Sequence, residues 1–349
     1  MHYIQKLPDL YFIVGIGRSG TTLLNQILNA NSLCLSTPET KFVMTFYEKY
    51  AHVSAIDTEA LLADIKQYYG VLETKSNATV WHFDQSGFEK QLRETSIINY
   101  AAACKLFLLN MHYLGRSNEG VRLIIDKNPA YVPYIPQLLK TFPEAKFIIS
   151  LRDYRAVLNS GKQSKGNKII TPWVRLLRWR QHFYYIQQLK KNMPDRFFLL
   201  KYEDLIGSNE LTVRDMCRFL SVPFDEQMLQ SHTKIREWVE ANTDFLNNSP
   251  RQKKKWTDLA SPISSGRTEF WRQNLTFEEI AVAEILCGNV GKREGYEPIY
   301  VLSFKQKIVV LLKKLPQLLY SLFVYLFFSK LYFFLPLNWR IKIAAKFNN

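Results

Sequence analysis

The chain has 349 residues, of which 47% are hydrophobic and 22% are charged. This is the balance of an ordinary globular protein, and it excludes intrinsic disorder, a collagenous chain and a small disulfide scaffold. The formal net charge is +15, and +8 of it falls on residues 299–349, which contain eight Lys or Arg and no Asp or Glu. We therefore expect a mildly basic domain over residues 1–298 and a separate, strongly basic tail.

The four cysteines lie far apart along the chain and form no C-x-x-C pair. This spacing predicts buried, reduced thiols and neither a zinc site nor a redox motif. The amino-terminal residues lack the apolar stretch and the small-residue cleavage site of a signal peptide. We expect a cytoplasmic protein, either free or peripheral on the cytoplasmic face of a membrane.

The first predicted element is a strand at residues 10–15, a continuous apolar run that ends at a glycine. Runs of this kind are typical of strands that are covered on both faces in a parallel sheet. A Gly-rich turn follows, and apolar residues then recur at helical spacing from Leu23 to Leu28. The sequence therefore predicts a strand, a phosphate-binding type of loop and a helix over residues 10–30.

The rest of the first 298 residues alternates between helical and strand patterns. Residues 42–114 have helical spacing and predict a helical insertion without strands. The later predicted strands are Arg122–Ile125, Lys146–Leu151 and Phe197–Lys201, and the later predicted helices are Thr171–Met193, Glu210–Leu220 and Phe277–Leu286. The alternation predicts an α/β, P-loop-like three-layer fold with a mostly parallel central sheet and functional residues at the carboxyl ends of its strands.

The tail differs in kind, because Leu315–Leu337 is apolar or aromatic at almost every position and has Lys or Arg on both sides. Its length would just span a bilayer. Lys330 lies well inside the stretch, and Pro316 and Pro336 bound it, which favours a helix that lies on an anionic membrane surface. A helical hairpin packed on the domain is the alternative.

The turn after the first strand has the G-x-x-x-x-G frame of a nucleotide-binding P-loop, from Gly15 to Gly20. Glycines there let successive N–H groups face one anion, and the helix amino terminus adds partial positive charge. The position after Gly20 is Thr21, where a P-loop has its lysine, and the cation of this loop is Arg18. The loop therefore suits a nucleotide with a shorter anionic arm than ATP.

These residues resemble the sulfotransferases that use 3′-phosphoadenosine 5′-phosphosulfate (PAPS), in the branch that contains tyrosylprotein and bacterial sulfotransferases. The resemblance covers residues 10–205 in five ordered motifs, with a weaker sixth at Ser265-Gly266-Arg267. The five are Arg18-Ser19-Gly20-Thr21-Thr22, Glu39-Thr40-Lys41, Lys127-Asn128-Pro129, Arg152-Asp153 with Ser160, and Tyr202-Glu203.

The resemblance implies a sulfuryl transfer from PAPS to a hydroxyl, without a metal. It implies that Glu39 is the general base and that Lys127 and Arg18 face the charge on the leaving phosphate. It assigns the donor's phosphates to the residues Arg18, Ser19, Gly20, Thr21 and Thr22 for the 5′ end and Arg152 and Ser160 for the 3′ end, with weaker assignments of Tyr202 and Arg267. Other members of the superfamily use a histidine base, for which His82 and His112 are the reserve candidates.

Two other functions stay open at this point. A small-molecule kinase on the same frame would need a Mg²⁺ carboxylate, for which Asp126 is the best candidate. A non-catalytic membrane-peripheral module would use the basic tail, whose aromatic blocks do not interleave with Lys and Arg as nucleic-acid binding requires.

Asn128 and Lys41 depart from the family's aspartate and arginine and argue against a peptide-tyrosine acceptor. A glycan, a glycolipid or a small alcohol is expected instead, and the oligomeric state is open.

Overall fold

The computed structural model describes residues 7–73, 80–95, 98–163, 171–247, 250–262, 268–327 and 339. The strands in this part of the chain are β1 (Asp9–Gly15), β2 (Cys34–Thr37), β3 (Trp81–Phe83), β4 (Met111–Tyr113), β5 (Leu123–Lys127), β6 (Phe147–Leu151) and β7 (Phe197–Lys201). The first nine helices are α1 (Thr21–Asn29), α2 (Phe42–Thr45), α3 (Tyr47–Tyr50), α4 (Thr58–Glu73), α5 (Gln85–Glu94), α6 (Tyr100–Leu109), α7 (Ile135–Thr141), α8 (Tyr154–Gln163) and α9 (Pro172–Asn192). The later helices are α10 (Tyr202–Gly207), α11 (Asn209–Leu220), α12 (His232–Ala241), α13 (Thr243–Asn247), α14 (Pro250–Leu259), α15 (Trp271–Asn274), α16 (Phe277–Gly291) and α17 (Phe304–Leu326).

The central sheet has five strands in the order β2-β5-β1-β6-β7. β5 pairs in parallel with both β1 and β2, with Ile13 opposite Lys127 and Thr37 opposite Asp126. β1 is buried at every position after its first residue, as expected for a strand with neighbours on both sides and helices on both faces. The predicted α/β fold with a mostly parallel central sheet is confirmed.

Two predictions about the elements were wrong. The strand predicted at residues 122–125 is Leu123–Lys127, so Asp126 and Lys127 belong to β5 and do not lie beyond it. The insertion over residues 42–114 is mostly helical but contains the antiparallel pair β3–β4. Three-residue strands carry too short an alternation to be distinguished from loops in a sequence.

Packing divides the chain into two compact units. The first consists of residues 1–14, 21–148 and 208–263, and the second of residues 15–20, 149–207 and 264–349. In the first unit, Phe12 stacks on Phe147 with ring centroids 5.5 Å apart, and Phe42 stacks on Phe107 at 3.8 Å. These aromatic contacts fix the helices of the insertion and the central strands of this unit.

The core of the second unit is built around α8, α9 and α16. Trp179 of α9 is fully buried between Tyr154 and Phe183, with ring centroids 5.5 and 5.4 Å away. Arg155 is buried beside this cluster, where its guanidinium lies 2.8 Å from Asp153 and 3.1 Å from Glu284. The unit thus neutralises its buried structural arginine with two carboxylates, as burial of a charge requires.

The tail forms one helix in the described part of the chain, and it starts earlier than predicted. α17 begins at Phe304, where Ser303 and Gln306 form a capping box, and it passes through Pro316 without ending. The prediction that Pro316 bounds the apolar segment was therefore wrong, while Lys330 and Pro336 lie outside the described residues. α17 packs on α9 and α16.

The packed face of α17 is narrow. Val310, Ser321 and Val324 are buried. The Ser321 hydroxyl donates to the Gln317 carbonyl at 2.7 Å, so the Thr171 hydroxyl, 2.5 Å from Ser321 Oγ, is the donor of that second bond. Thr171 is also the amino-terminal cap of α9. One residue therefore joins the tail helix to the start of α9.

Candidate functional site

The Gly-rich loop from Gly15 to Gly20 has a shape that only glycine permits at its two ends. Gly15 has φ +134°, and a Cβ there would collide with the backbone of Ser150. Gly20 has φ +76°, and a Cβ there would collide with the ring of Tyr202. Arg18 also has a positive φ, of 75°. Because L side chains rarely adopt such angles, the loop is a built feature of the fold and not a generic turn.

β6 and Arg152, the residue after it, hold this loop with three hydrogen bonds. The Ile16 N–H donates to the Ser150 carbonyl at 3.1 Å and continues the strand ladder into the loop. The Ser150 hydroxyl donates to the Ser19 carbonyl at 2.6 Å, and Arg152 Nη1 donates to the Arg18 carbonyl at 3.2 Å. With these carbonyls held by β6, the loop's N–H groups are the ones left to meet an anion.

The predicted donor-binding residues of the second unit come together at this loop. Arg18 Nε donates to Ser160 Oγ at 2.9 Å, which joins the loop to the helix predicted to hold the second phosphate. The Arg152 guanidinium lies 4.1 Å from the centre of the Tyr202 ring. Stacking of this kind orients a guanidinium. We call Arg18, Ser19, Arg152, Ser160 and Tyr202 the anion cluster.

Three side chains on one face of α9 also contact this region, and sequence reasoning missed all of them. His182 Nδ1 lies 3.0 Å from the Gly15 carbonyl, and Trp179 Nε1 donates to the Arg152 carbonyl at 2.8 Å. Arg175 lies beside Gly17. Positions 175, 179 and 182 have the i, i+4, i+7 spacing of one helix face, which is the signal that would have found them.

His182 is neutral in the folded chain. The ring is buried, and burial lowers its pKa from 6.5 to about 4, although the bond to the Gly15 carbonyl opposes this shift. A neutral imidazole carries one N–H, and that proton must be on Nδ1 because a carbonyl can only accept. His182 therefore fastens the first residue of the loop without adding a charge.

In the first unit, the predicted base and the predicted strand-end cation form an ion pair. Lys127 Nζ donates to Glu39 Oε1 at 3.0 Å, and the side chains are 9% and 50% exposed. The buried lysine thus holds a carboxylate that is still accessible to a substrate. Glu39 follows β2 directly and Lys127 ends the neighbouring strand β5, so the parallel pairing of these strands brings the two groups together.

The residues next to this pair explain why Asn128 stands where the family has an aspartate. Asp126 is completely buried, and burial raises the pKa of its carboxyl to about 7. Asn128 Nδ2 donates to Asp126 Oδ1 at 2.5 Å, so the amide satisfies a carboxylate where an aspartate would repel it. An Asp126 enclosed in this way is a poor candidate for the exposed Mg²⁺ ligand of a kinase.

The remaining predicted site residues are placed as follows. Thr21 and Thr22 are the first two residues of α1, in the first unit, directly after the loop in the chain. His82 and His112, the reserve bases, are opposite each other in the β3–β4 pair, and His112 Nδ1 lies 3.2 Å from the Arg116 carbonyl. Arg267, with Ser265 and Gly266, lies outside the described residues.

Comparison with known proteins shows the family of this chain. A family model described as "Sulfotransferase family" matches residues 11–226. The chain is 25% identical over 237 residues to protein-tyrosine sulfotransferase 1 of Danio rerio. This match covers 67% of this chain and 58% of that protein. The chain is also 29% identical over 193 residues to omega-hydroxy-beta-dihydromenaquinone-9 sulfotransferase Stf3 of Mycobacterium tuberculosis. This match covers 50% of this chain and 42% of that protein. The chain thus spans about half the length of these curated relatives.

Among solved structures, the sulfotransferase domain from the Synechococcus PCC 7002 olefin synthase has a TM-score of 0.54 to this chain at 20% identity, and the match covers 86% of this chain and 98% of that domain. The chain belongs to the sulfotransferase family, which confirms the resemblance seen in its motifs and the predicted class of enzyme.

We expect His182 to make folding stability depend on pH. The unfolded chain, with a histidine pKa near 6.5, binds a proton that the folded chain takes up only near pH 4. The contribution of His182 to the free energy of unfolding is fully present above pH 6.5. It falls as the pH drops toward 4, by up to about 1.4 kcal/mol per pH unit. Urea unfolding of wild-type and His182→Asn proteins at pH 7.5, 6 and 5 measures this. Asparagine retains an N–H donor but does not titrate, so the variant should lose less stability over this range. Parallel losses in the two proteins would contradict the assignment.

Proposed function

We propose that this protein transfers a sulfuryl group from PAPS to a hydroxyl. The observation that carries the proposal is the anion cluster, in which a glycine-dependent loop without a P-loop lysine is joined through Arg18 and Ser160 to a second set of phosphate-binding groups. A donor with anions at both the 5′ and 3′ positions of the ribose accounts for both sets. An ordinary nucleoside triphosphate leaves Arg152 and Ser160 without a role.

The residues fit the 5′ end of such a donor. Ser19 is almost completely buried, and its hydroxyl has no hydrogen-bond partner in the described part of the chain. An unmade hydrogen bond in a buried hydroxyl costs about 1–3 kcal/mol, which a bound phosphate oxygen would recover. We assign Arg18 and the loop N–H groups of Ser19 to Thr22 to the 5′-phosphosulfate.

The 3′-phosphate is assigned to Arg152 and Ser160, with Tyr202 orienting the Arg152 guanidinium by stacking. Ser160 Oγ already accepts a bond from Arg18 Nε, so its own proton can be donated to a phosphate oxygen. Arg267 is retained as a further donor contact from the motif alone.

In the proposed reaction, Glu39 accepts the proton of the acceptor hydroxyl as its oxygen attacks sulfur. The new S–O bond forms while the bond between sulfur and the bridging phosphate oxygen breaks, and the bisphosphate leaves with the bonding electron pair. Lys127 and Arg18 stabilise the charge that develops on that oxygen. Lys127 is suited to this because it is held by the strand end and by its 3.0 Å bond to Glu39. Nothing in these steps requires the chain to provide a metal ligand.

The donor is tested by calorimetric titration with 3′,5′-adenosine bisphosphate in the absence of Mg²⁺. We expect micromolar binding by the wild-type protein, on the order of −8 kcal/mol, and at least tenfold weaker binding by Arg152→Ala because a charge-assisted bond to phosphate is lost. Arg122→Ala is the matched control, since Arg122 is exposed next to the amino end of a parallel strand. A preference for ATP with Mg²⁺ would overturn the proposal in favour of a kinase.

The base is tested by Glu39→Gln, with ³⁵S-labelled PAPS and a panel of phenol, a simple sugar and a long-chain alcohol as acceptors. General-base catalysis is worth about 10²–10⁴-fold, so we expect kcat to fall by at least 100-fold while affinity for the bisphosphate is unchanged. Glu48→Gln, at an exposed position in α3, is the control. Full activity of Glu39→Gln would eliminate Glu39 and redirect the search to His82 and His112.

For the acceptor, we propose a hydroxyl on a lipid or lipid-linked sugar at an anionic membrane surface. The outer face of α17 carries exposed apolar side chains at helical spacing, and the exposed Lys305 and Lys307 lie in its first turn. We call these apolar residues the apolar stripe; they are Phe304, Ile308, Leu312, Leu315, Leu319, Phe323 and Leu326. An amphipathic helix with cationic residues is the usual way to lie in a lipid headgroup region.

Two further observations support a membrane acceptor. A groove of about 430 Å³ lies beside the stripe and is lined by Trp173, Pro316 and Tyr320, which offer an apolar surface to a lipid chain. The mycobacterial relative named above is, by its name, a sulfotransferase of a hydroxylated menaquinone. Thr171, which binds α17, precedes Arg175 on the same helix by one turn, or about 6 Å. A lipid chain in the groove, which Thr171 also lines, would therefore lie about one helical turn from Arg175.

Membrane binding is tested by flotation with phosphatidylglycerol and phosphatidylcholine vesicles. We expect salt-sensitive binding to the anionic vesicles and at least a tenfold loss in Leu319→Glu/Phe323→Glu, because two carboxylates oppose burial in lipid and repel the surface. Leu211→Glu is the control, since Leu211 is exposed on α11 to a similar extent, 61% against 58% for Leu319. If the wild-type protein does not bind vesicles, the result would instead favour contact of the apolar stripe with protein, either a partner or the chain's own last residues.

A further inference from the structure

Arg175 lies in a space that two glycines leave open. Its Nη1 is 4.0 Å from the point where a Cβ of Gly17 would be, and its Cδ and Nε are 3.0 and 3.1 Å from the corresponding point of Gly161. Gly17 belongs to the anion-binding loop, and Gly161 follows Ser160 in α8. The end of the guanidinium therefore lies at the loop, while the side chain rests on the helix that carries Ser160.

Arg175 is a mostly buried cation without a counter-charge in the described residues. Its Nε is buried and makes no hydrogen bond there. Burial lowers the pKa of the guanidinium to about 10, and the nearby charges of Arg18 and Arg178 lower it further in the same direction. The group still remains charged at neutral pH.

The contrast with Arg155 in the same unit shows that this arrangement is not the ordinary one. Arg155 is buried between two carboxylates, at 2.8 and 3.1 Å. The charged groups near Arg175 are other arginines, whereas those next to Arg155 are carboxylates. A buried, uncompensated charge destabilises a fold, and sites that break such a rule are expected to be functional.

We propose that Arg175 binds the 5′-phosphosulfate end of the donor, as a second guanidinium beside Arg18. This assignment rests on the proposed function, since it takes the loop to be the donor's 5′ site. We place Arg175 at the 5′ end because the atom that approaches Gly17 of the loop is its terminal nitrogen, Nη1. The atoms that approach Gly161, beside the proposed 3′ site, are Cδ and Nε, which lie further back along the side chain. A doubly negative group at the loop would neutralise the repulsion between Arg18 and Arg175 and use the N–H groups that both present.

The test replaces Arg175 with methionine, which retains the unbranched apolar stem and removes the charge. Affinities for 3′,5′-adenosine bisphosphate, adenosine 5′-phosphate and adenosine 3′-phosphate are measured by calorimetry, and the melting temperature is measured without ligand. Arg180→Met is the control, because Arg180 is exposed on the same helix.

We expect Arg175→Met to lose at least tenfold in affinity for the bisphosphate and for the 5′-phosphate, with little change for the 3′-phosphate. Its melting temperature should be equal to or above that of the wild type, because a buried repulsion has been removed. Unchanged bisphosphate affinity, or a loss confined to the 3′-phosphate, overturns the assignment. A lowered melting temperature with equal loss for all three ligands shows a structural role and also overturns it. If the wild-type protein binds none of the three, the donor proposal itself fails, and the Arg175 assignment fails with it.

Discussion

The close approach of the Gly15 and Ser150 backbones is the constraint on which the anion-binding loop depends. At that point β1 and β6 are too near for any Cβ, and the ladder bond from Ile16 continues beyond the end of β1. β6 then supplies the Ser150 hydroxyl from below, and α9 supplies His182 to the carbonyl of Gly15. Every one of these bonds goes to a loop carbonyl or extends the ladder, so the chain itself holds the loop in shape. Preorganisation of this kind is what the proposed binding of the donor's 5′ end would need.

The charges of the second unit fall into two classes that differ in what balances them. Arg155 has Asp153 and Glu284 and serves the core. Near the loop, Arg18 contacts Ser160, and Arg152 contacts the Tyr202 ring and the Arg18 carbonyl. Arg175 has no carboxylate partner in the described part of the chain, whereas Lys127 in the first unit is paired with Glu39.

The sequence predicted those features that local pattern determines and missed those that depend on packing. The loop, and the expectation that Arg152 and Ser160 lie at the end of β6 and on the helix after it, followed from motif order, because residues after parallel strands meet at one sheet edge. The bond between Arg18 and Ser160 was not predicted. The face of α9 was missed because its contacts depend on which side of a long helix meets the loop, and Trp179 and His182 looked like ordinary core residues. The β3–β4 pair was missed because its strands are too short. The predicted division of the chain at residue 298 stays a prediction.

Pro316 would limit how deep α17 can lie in the proposed membrane surface. Proline has no backbone N–H, so the carbonyl of Leu312, one turn earlier, has no helical donor. An unsatisfied carbonyl in hydrocarbon costs several kcal/mol, whereas one at the headgroup level is met by water. Leu312 belongs to the exposed side of the helix. The proline therefore sets a hydration requirement in the middle of the apolar stripe, which the proposed position at the water boundary of a bilayer would meet and a position at its centre would not.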